Sequence, residues 1–156
     1  MTQKLSRRSF IKLTGAAGTA FLLSSCNIKD SILGTPETQL PIIEGAWSYT
    51  NGTLSLDLSK LPELDELGGA VRIEGAVLPD PILVVLGEDG DYYAFKNACT
   101  HGGRMIDPVA GTMTLQCCSL SRSTYDYQGS VISGPAPSPL TSYPLAVEGE
   151  QLLITL

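Results

Sequence analysis

The feature that most limits this chain is how short its apolar runs are. From Trp47 onward the longest is Ile82 to Leu86, and glycine, proline or polar turn residues interrupt every other one. Helices need a sustained 3.6-residue period, whereas short alternating runs between turn signals suit strands. After Asn51-Gly52 the stretch Thr53 to Leu58 alternates polar and apolar residues, and Val71 with Ile73 oppose Arg72 with Glu74. Ile82–Leu86 is a continuous apolar strand, and Gly87-Glu88-Asp89-Gly90 reads as the hairpin turn into Tyr92 to Phe95. Thr112 to Cys118, Ser123 to Tyr127, Ser130 to Ile132, Tyr143 to Val147 and Gln151 to Leu156 complete the set, with Glu148-Gly149-Glu150 as a final turn. Only Leu61 to Leu67 suits a short helical turn, bounded by Pro62 and Gly68-Gly69. Frequent breaks, 16 glycines and 10 prolines, and a charged fraction of only 17% predict an all-β sandwich or barrel.

The first 25 residues are a different material. They hold four of the ten lysines and arginines (Lys4, Arg7, Arg8, Lys12) and none of the sixteen acids. Ser6-Arg7-Arg8-Ser9-Phe10-Ile11-Lys12 is a twin-arginine pattern, and the apolar stretch after it is too short to span a bilayer comfortably. Leu23-Ser24-Ser25-Cys26 resembles a bacterial lipobox, which implies cleavage before Cys26 and a lipid on its thiol. The expected organisation is a signal over 1–25, lipidated Cys26 with a linker over 26–44, and a domain over 45–156. The expected location is the bacterial cell envelope, with the membrane reached through Cys26. Beyond Cys26 six cations face sixteen acids, which excludes nucleic acid as a partner because phosphate binding needs a cationic footprint.

The acid groups Glu63, Asp65, Glu66 and Glu88, Asp89, Asp91 read as solvated turns rather than acid–base pairs. The chain has one histidine, no phosphate loop and no nucleophile elbow, so no self-contained catalytic site is expected. That histidine lies in the informative stretch: Cys99-Thr100-His101-Gly102-Gly103, then after sixteen residues Cys118-Ser119-Leu120-Ser121-Arg122-Ser123-Thr124-Tyr125-Asp126. A thiolate and an imidazole two apart on a glycine-containing loop can meet one metal centre, and Cys118 on a second loop can close on it. Cys117 is a further thiol, but strand alternation sends it to the face opposite Cys118.

These two stretches resemble the Rieske family, whose loops read Cys-x-His-x-Gly and Cys-x-x-His-Gly-Ser-x-Tyr/Phe-Asp. Gly129 and Ser133-Gly134-Pro135-Ala136-Pro137 are similar to the Gly-Pro loop that covers the cluster in that family. The resemblance implies an antiparallel β sandwich or barrel with a small two-loop subdomain, a [2Fe–2S] cluster and one-electron transfer to a redox partner protein. By its register Cys99 and Cys118 are the thiolate pair and His101 one imidazole, while the second imidazole position is Ser121. Arg122 stands where the family has glycine, and Arg104 with Leu120 occupy the positions of a loop-bracing disulfide found in some members. Ser123 and Tyr125 match residues whose hydroxyls bond a bridging sulfide and a cysteine ligand. A carrier or subunit is expected rather than an oxygenase, since the sequence leaves little room for a catalytic domain. With Ser121 in place of histidine, the competing class is a clusterless binding or structural module, in which Cys99 and Cys118 would be expected to pair.

Overall fold

A computed structural model of the chain describes Leu40 and residues 43–156. The signal, Cys26 and nearly all of the linker expected from the sequence lie outside the described residues.

Among the described residues, twelve strands form three four-stranded antiparallel sheets. The first sheet joins both ends of the domain: β1 (Trp47–Thr50), β2 (Thr53–Asp57), β12 (Gln151–Thr155) and β11 (Leu145–Glu148), in that order. The second runs β10 (Ser142–Tyr143), β5 (Tyr92–Lys96), β4 (Ile82–Leu86) and β3 (Ala70–Ile73). The third runs β6 (Ile106–Val109), β7 (Thr114–Cys117), β8 (Thr124–Asp126) and β9 (Val131–Ser133), a meander inserted between β5 and β10.

The unbroken apolar run at β4 is explained by its place between two cores. Ile82 and Val84 pack with Leu54, Leu56, Val71, Ile73, Leu152 and Ile154, all buried. Leu83 and Val85 face the other way, onto Phe95, Ile106, Leu115 and Tyr125. A strand buried on both faces has no polar side to alternate with, unlike β2, whose pattern of buried and half-buried residues has a period of two. The second core lies directly under the loops of the third sheet and includes Cys99 and Cys117.

Three details depart from the sequence reading. The expected strand over Tyr143 to Val147 divides at Pro144, where the chain passes from the second sheet to the first. β6, not anticipated, contains Pro108, which a strand tolerates here because β6 is the edge of its sheet. The helical turn expected over Leu61 to Leu67 is two 3₁₀ turns, Leu58–Lys60 and Pro62–Leu64.

Candidate metal centre

Three loops at one end of the third sheet build the site: 97–105 after β5, 118–123 after β7 and 134–141 after β9. The first is pinned at its base, where Asn97 Oδ1 accepts the Ile106 N–H at 2.7 Å. It then turns tightly, with the N–H groups of Gly102 and Gly103 donating to the Cys99 carbonyl at 3.2 and 2.7 Å. Gly103 takes φ +70°, a left-handed conformation that favours glycine. The second loop is closed by Cys117 N–H on the Ser123 carbonyl, 2.8 Å, and tied to the first by Cys118 N–H on the Met105 carbonyl, 2.9 Å. The third loop is held by both others. Ala136 N–H donates to Ser123 Oγ at 3.1 Å, and Thr100 Oγ1 donates to the Ser138 carbonyl at 2.7 Å.

This frame brings together the ligand atoms of Cys99, His101 and Cys117, all within 4.8 Å of one another. The two thiols are buried and His101 is half-buried. Cys99 Sγ lies 3.2 Å from His101 Nδ1 and 3.1 Å from the Tyr125 hydroxyl. On the outer side, Ser121 Oγ is 3.3 Å from His101 Nε2.

Of the two cysteines at the end of β7, the structure brings Cys117, and not the expected Cys118, beside Cys99. Leu115 and Cys117 share the inward face of β7 in the second core, so the next residue turns away from it. Cys118 is equally buried, with Sγ 3.7 Å from Asp107 Oδ2. Two-residue alternation did place Cys117 and Cys118 on opposite faces, but counting inward from Leu115 was the signal that would have selected Cys117. Ser121, at the family's second imidazole position, meets the outer nitrogen of His101. Tyr125 does meet a cysteine sulfur, whereas the buried Ser123 hydroxyl holds the third loop. The acids of the two turns, Glu63, Asp65, Glu66, Glu88, Asp89 and Asp91, are all exposed. An open cleft of about 410 Å³ between Tyr93, Met113 and Tyr127 holds none of the donors.

The two thiols are unequal. Burial raises the Cys99 thiol, but hydrogen bonds from Tyr125 and His101 outweigh it and bring its pKa down to about 7. Burial, reinforced by the adjacent Cys99, drives Cys117 up to about 12. Burial and the bond to Cys99 likewise raise Tyr125 to about 12. In metal-free protein, iodoacetamide at pH 8 is therefore expected to label Cys99 well ahead of Cys117, because the thiolate is the nucleophile. Peptide mapping checks this, and equal labelling would contradict it. Between about 7 and the ordinary thiol value of 9.0 the folded state has released the Cys99 proton and the unfolded state has not, so stability from this group rises with pH across that window and is lost as pH falls through about 7.

A family model described as the Rieske [2Fe-2S] domain matches residues 59–144. The ferredoxin subunit of 3-phenylpropionate/cinnamic acid dioxygenase from Shigella boydii serotype 4 (strain Sb227) is 30% identical over 91 residues, covering 57% of this chain and 82% of its own. The ferredoxin component of the naphthalene 1,2-dioxygenase system from Pseudomonas aeruginosa is 32% identical over 101 residues, 64% of this chain and 89% of its own. Among solved structures, one of the complex of reduced oxygenase and oxidized ferredoxin in carbazole 1,9a-dioxygenase has a TM-score of 0.54 at 17% identity, covering 68% of this chain and 94% of the matched one. That likeness is one of fold.

Proposed function

This chain belongs to the Rieske [2Fe–2S] domain family, and from that premise we propose that it is a one-electron carrier or subunit tethered to the bacterial cell envelope. The observation that carries the reading is the convergence of Cys99, His101 and Cys117 within 4.8 Å, with the Tyr125 hydroxyl on the Cys99 sulfur. In chemistry the donor set fits an iron–sulfur group: two soft thiolates and one imidazole, from two loops braced against each other. It departs from the family in its fourth donor, since His101 is the only histidine. Cys99, Cys117 and His101 would hold the cluster, with Ser121 on the exposed side. When bound, such a cluster takes up and releases one electron at a time.

The protein's own residues do the rest. Cys99 and Cys117 lie in the second core, which excludes water from the thiolate side and strengthens every electrostatic contact there. Tyr125, held neutral by its raised pKa, keeps its proton for donation to the Cys99 sulfur. A donor of this kind stabilises the more negative, reduced state. His101 lies on the solvent side and provides the short path outward. The expected partner is a redox protein of the envelope, as the ferredoxin-named relatives suggest.

The test is absorbance and electron paramagnetic resonance of the purified full chain, with iron and sulfide assays; about two of each per chain are expected. Colourless, iron-free protein from cells that load a control Rieske protein would overturn the reading in favour of a clusterless docking module. For the tether, Cys26→Ala is expected to release the protein from membranes, and Arg7→Lys with Arg8→Lys to block its export. A Cys26→Ala chain that still sediments with lipid would replace the lipid anchor with protein–protein attachment.

A further inference from the structure

We propose that the rim of the metal centre is a docking surface for a redox partner whose contact face is acidic. This rests on the electron-transfer reading above for its purpose, but on separate observations for its chemistry.

The charge of the domain is divided by place. The three loops 97–105, 118–123 and 134–141 contain no aspartate or glutamate, although the domain as a whole is strongly acidic. They carry two cations, Arg104 and Arg122. Of the described lysines and arginines, Lys60, Arg72 and Lys96 are each paired with an acid, Asp57, Glu74 and Asp80. Arg104 and Arg122 make no ion pair among the described residues. The nearest acid in sequence, Asp107, is buried beneath the loops beside Cys118 and presents nothing to the surface. Arg104 stands beside the centre, its backbone carbonyl accepting the Cys99 N–H at 2.7 Å.

Arg122 adds an observation of its own. It is exposed and holds φ +38°, in the left-handed region that disfavours side chains with a Cβ. A strained backbone that carries an unpaired charge at the mouth of a site points to a use for that charge. Two residues earlier Leu120 is 80% exposed, an apolar side chain on the same loop. An apolar contact rimmed by cations is the form of a docking patch, and its complement is an apolar spot rimmed by acids. Such charges act locally: at physiological salt fields fade over about 8 Å, so a partner approaching the rim meets the arginines and not the acidic body.

Two measurements on the full chain test this. First, the reduced protein is oxidised by ferricyanide, an anion, and by tris(phenanthroline)cobalt(III), a cation, at low and at high salt. Ferricyanide oxidation is expected to slow with added salt despite the negative net charge, and Arg104→Glu with Arg122→Glu to reverse that dependence and cut the low-salt rate about tenfold. A wild-type ferricyanide rate that rises with salt overturns the proposal. Second, a fluorescent nona-glutamate peptide is followed by anisotropy. Its binding is expected to be weakened about tenfold by the double arginine variant and unaffected by Lys60→Glu. No binding, or equal loss in both variants, overturns the proposal. The peptide needs no cluster, so iron-free protein that still binds it at the rim defeats the electron-transfer reading and keeps the surface. Loaded protein with the wrong salt dependence does the opposite.

Discussion

Replacing Cys117 with alanine is expected to leave the folded protein without iron or sulfide, while Cys118→Ala retains both. The two residues are adjacent and both buried, so composition and burial do not separate them; direction does. Cys117 points into the group with Cys99 and His101, and Cys118 points to Asp107. Removing one of two thiolates from a three-residue donor set leaves a site too weak to hold a cluster, since metal affinity falls steeply with each lost ligand. The packing penalty is small by comparison, about 1 kcal/mol for a group the size of a thiol, so far-ultraviolet circular dichroism should show a folded chain. Iron and sulfide stoichiometry of the two variants, expressed side by side, decides the matter. Loss of iron in Cys118→Ala and not in Cys117→Ala would mean that the second loop re-registers when it binds metal.

Gly134→Ala is expected to be the most damaging methyl that can be added near the site. Gly134 takes φ +94°, and a Cβ there would lie 2.5 Å from Ser123 Cα and 2.9 Å from the Arg122 carbonyl oxygen. Both obstacles are backbone, so no side-chain rotation relieves the clash, and the left-handed conformation adds its own cost. Together they should destabilise the domain by roughly 2–4 kcal/mol, a fall in melting temperature of about 10–20 °C. The damage is also directed. Pushing the third loop away from Ser123 breaks the Ala136 N–H bond to Ser123 Oγ and loosens the segment that leads to Tyr125. Gly103→Ala, where a Cβ would meet nothing within 4 Å, is the control and should cost far less. Thermal melts of both variants are the measurement; equal melting temperatures would show that the third loop does not pack on the second as described.

The all-β class was legible because alternation and turn chemistry are local signals. Thr53 to Leu58 and Ile82 to Leu86 appear as strands at or near the positions read from the sequence. β6 was missed because Pro108 looks like a strand breaker until its position at a sheet edge is known. Likewise, nothing local to Tyr143 to Val147 says that the chain changes sheets at Pro144.

At the metal centre the sequence by itself determined which residues are available: a Cys-x-His loop, a second cysteine-bearing loop, one histidine in all, and Ser121 where the family has its second. It also determined that Cys117 and Cys118 point to opposite sides, because a strand alternates regardless of its surroundings. The tertiary structure decided which of those sides faces Cys99. That choice depends on how β7 lies on the second core, with Leu115 and Cys117 facing inward among Phe95, Ile106 and Tyr125. It depends too on loops far apart in the chain, since the backbone of Met105 and that of Gly134 fix the second loop from either side. Facing is a property of packing between distant segments, and a motif read along one stretch of chain carries the spacing of its donors but not the surface they are pressed against.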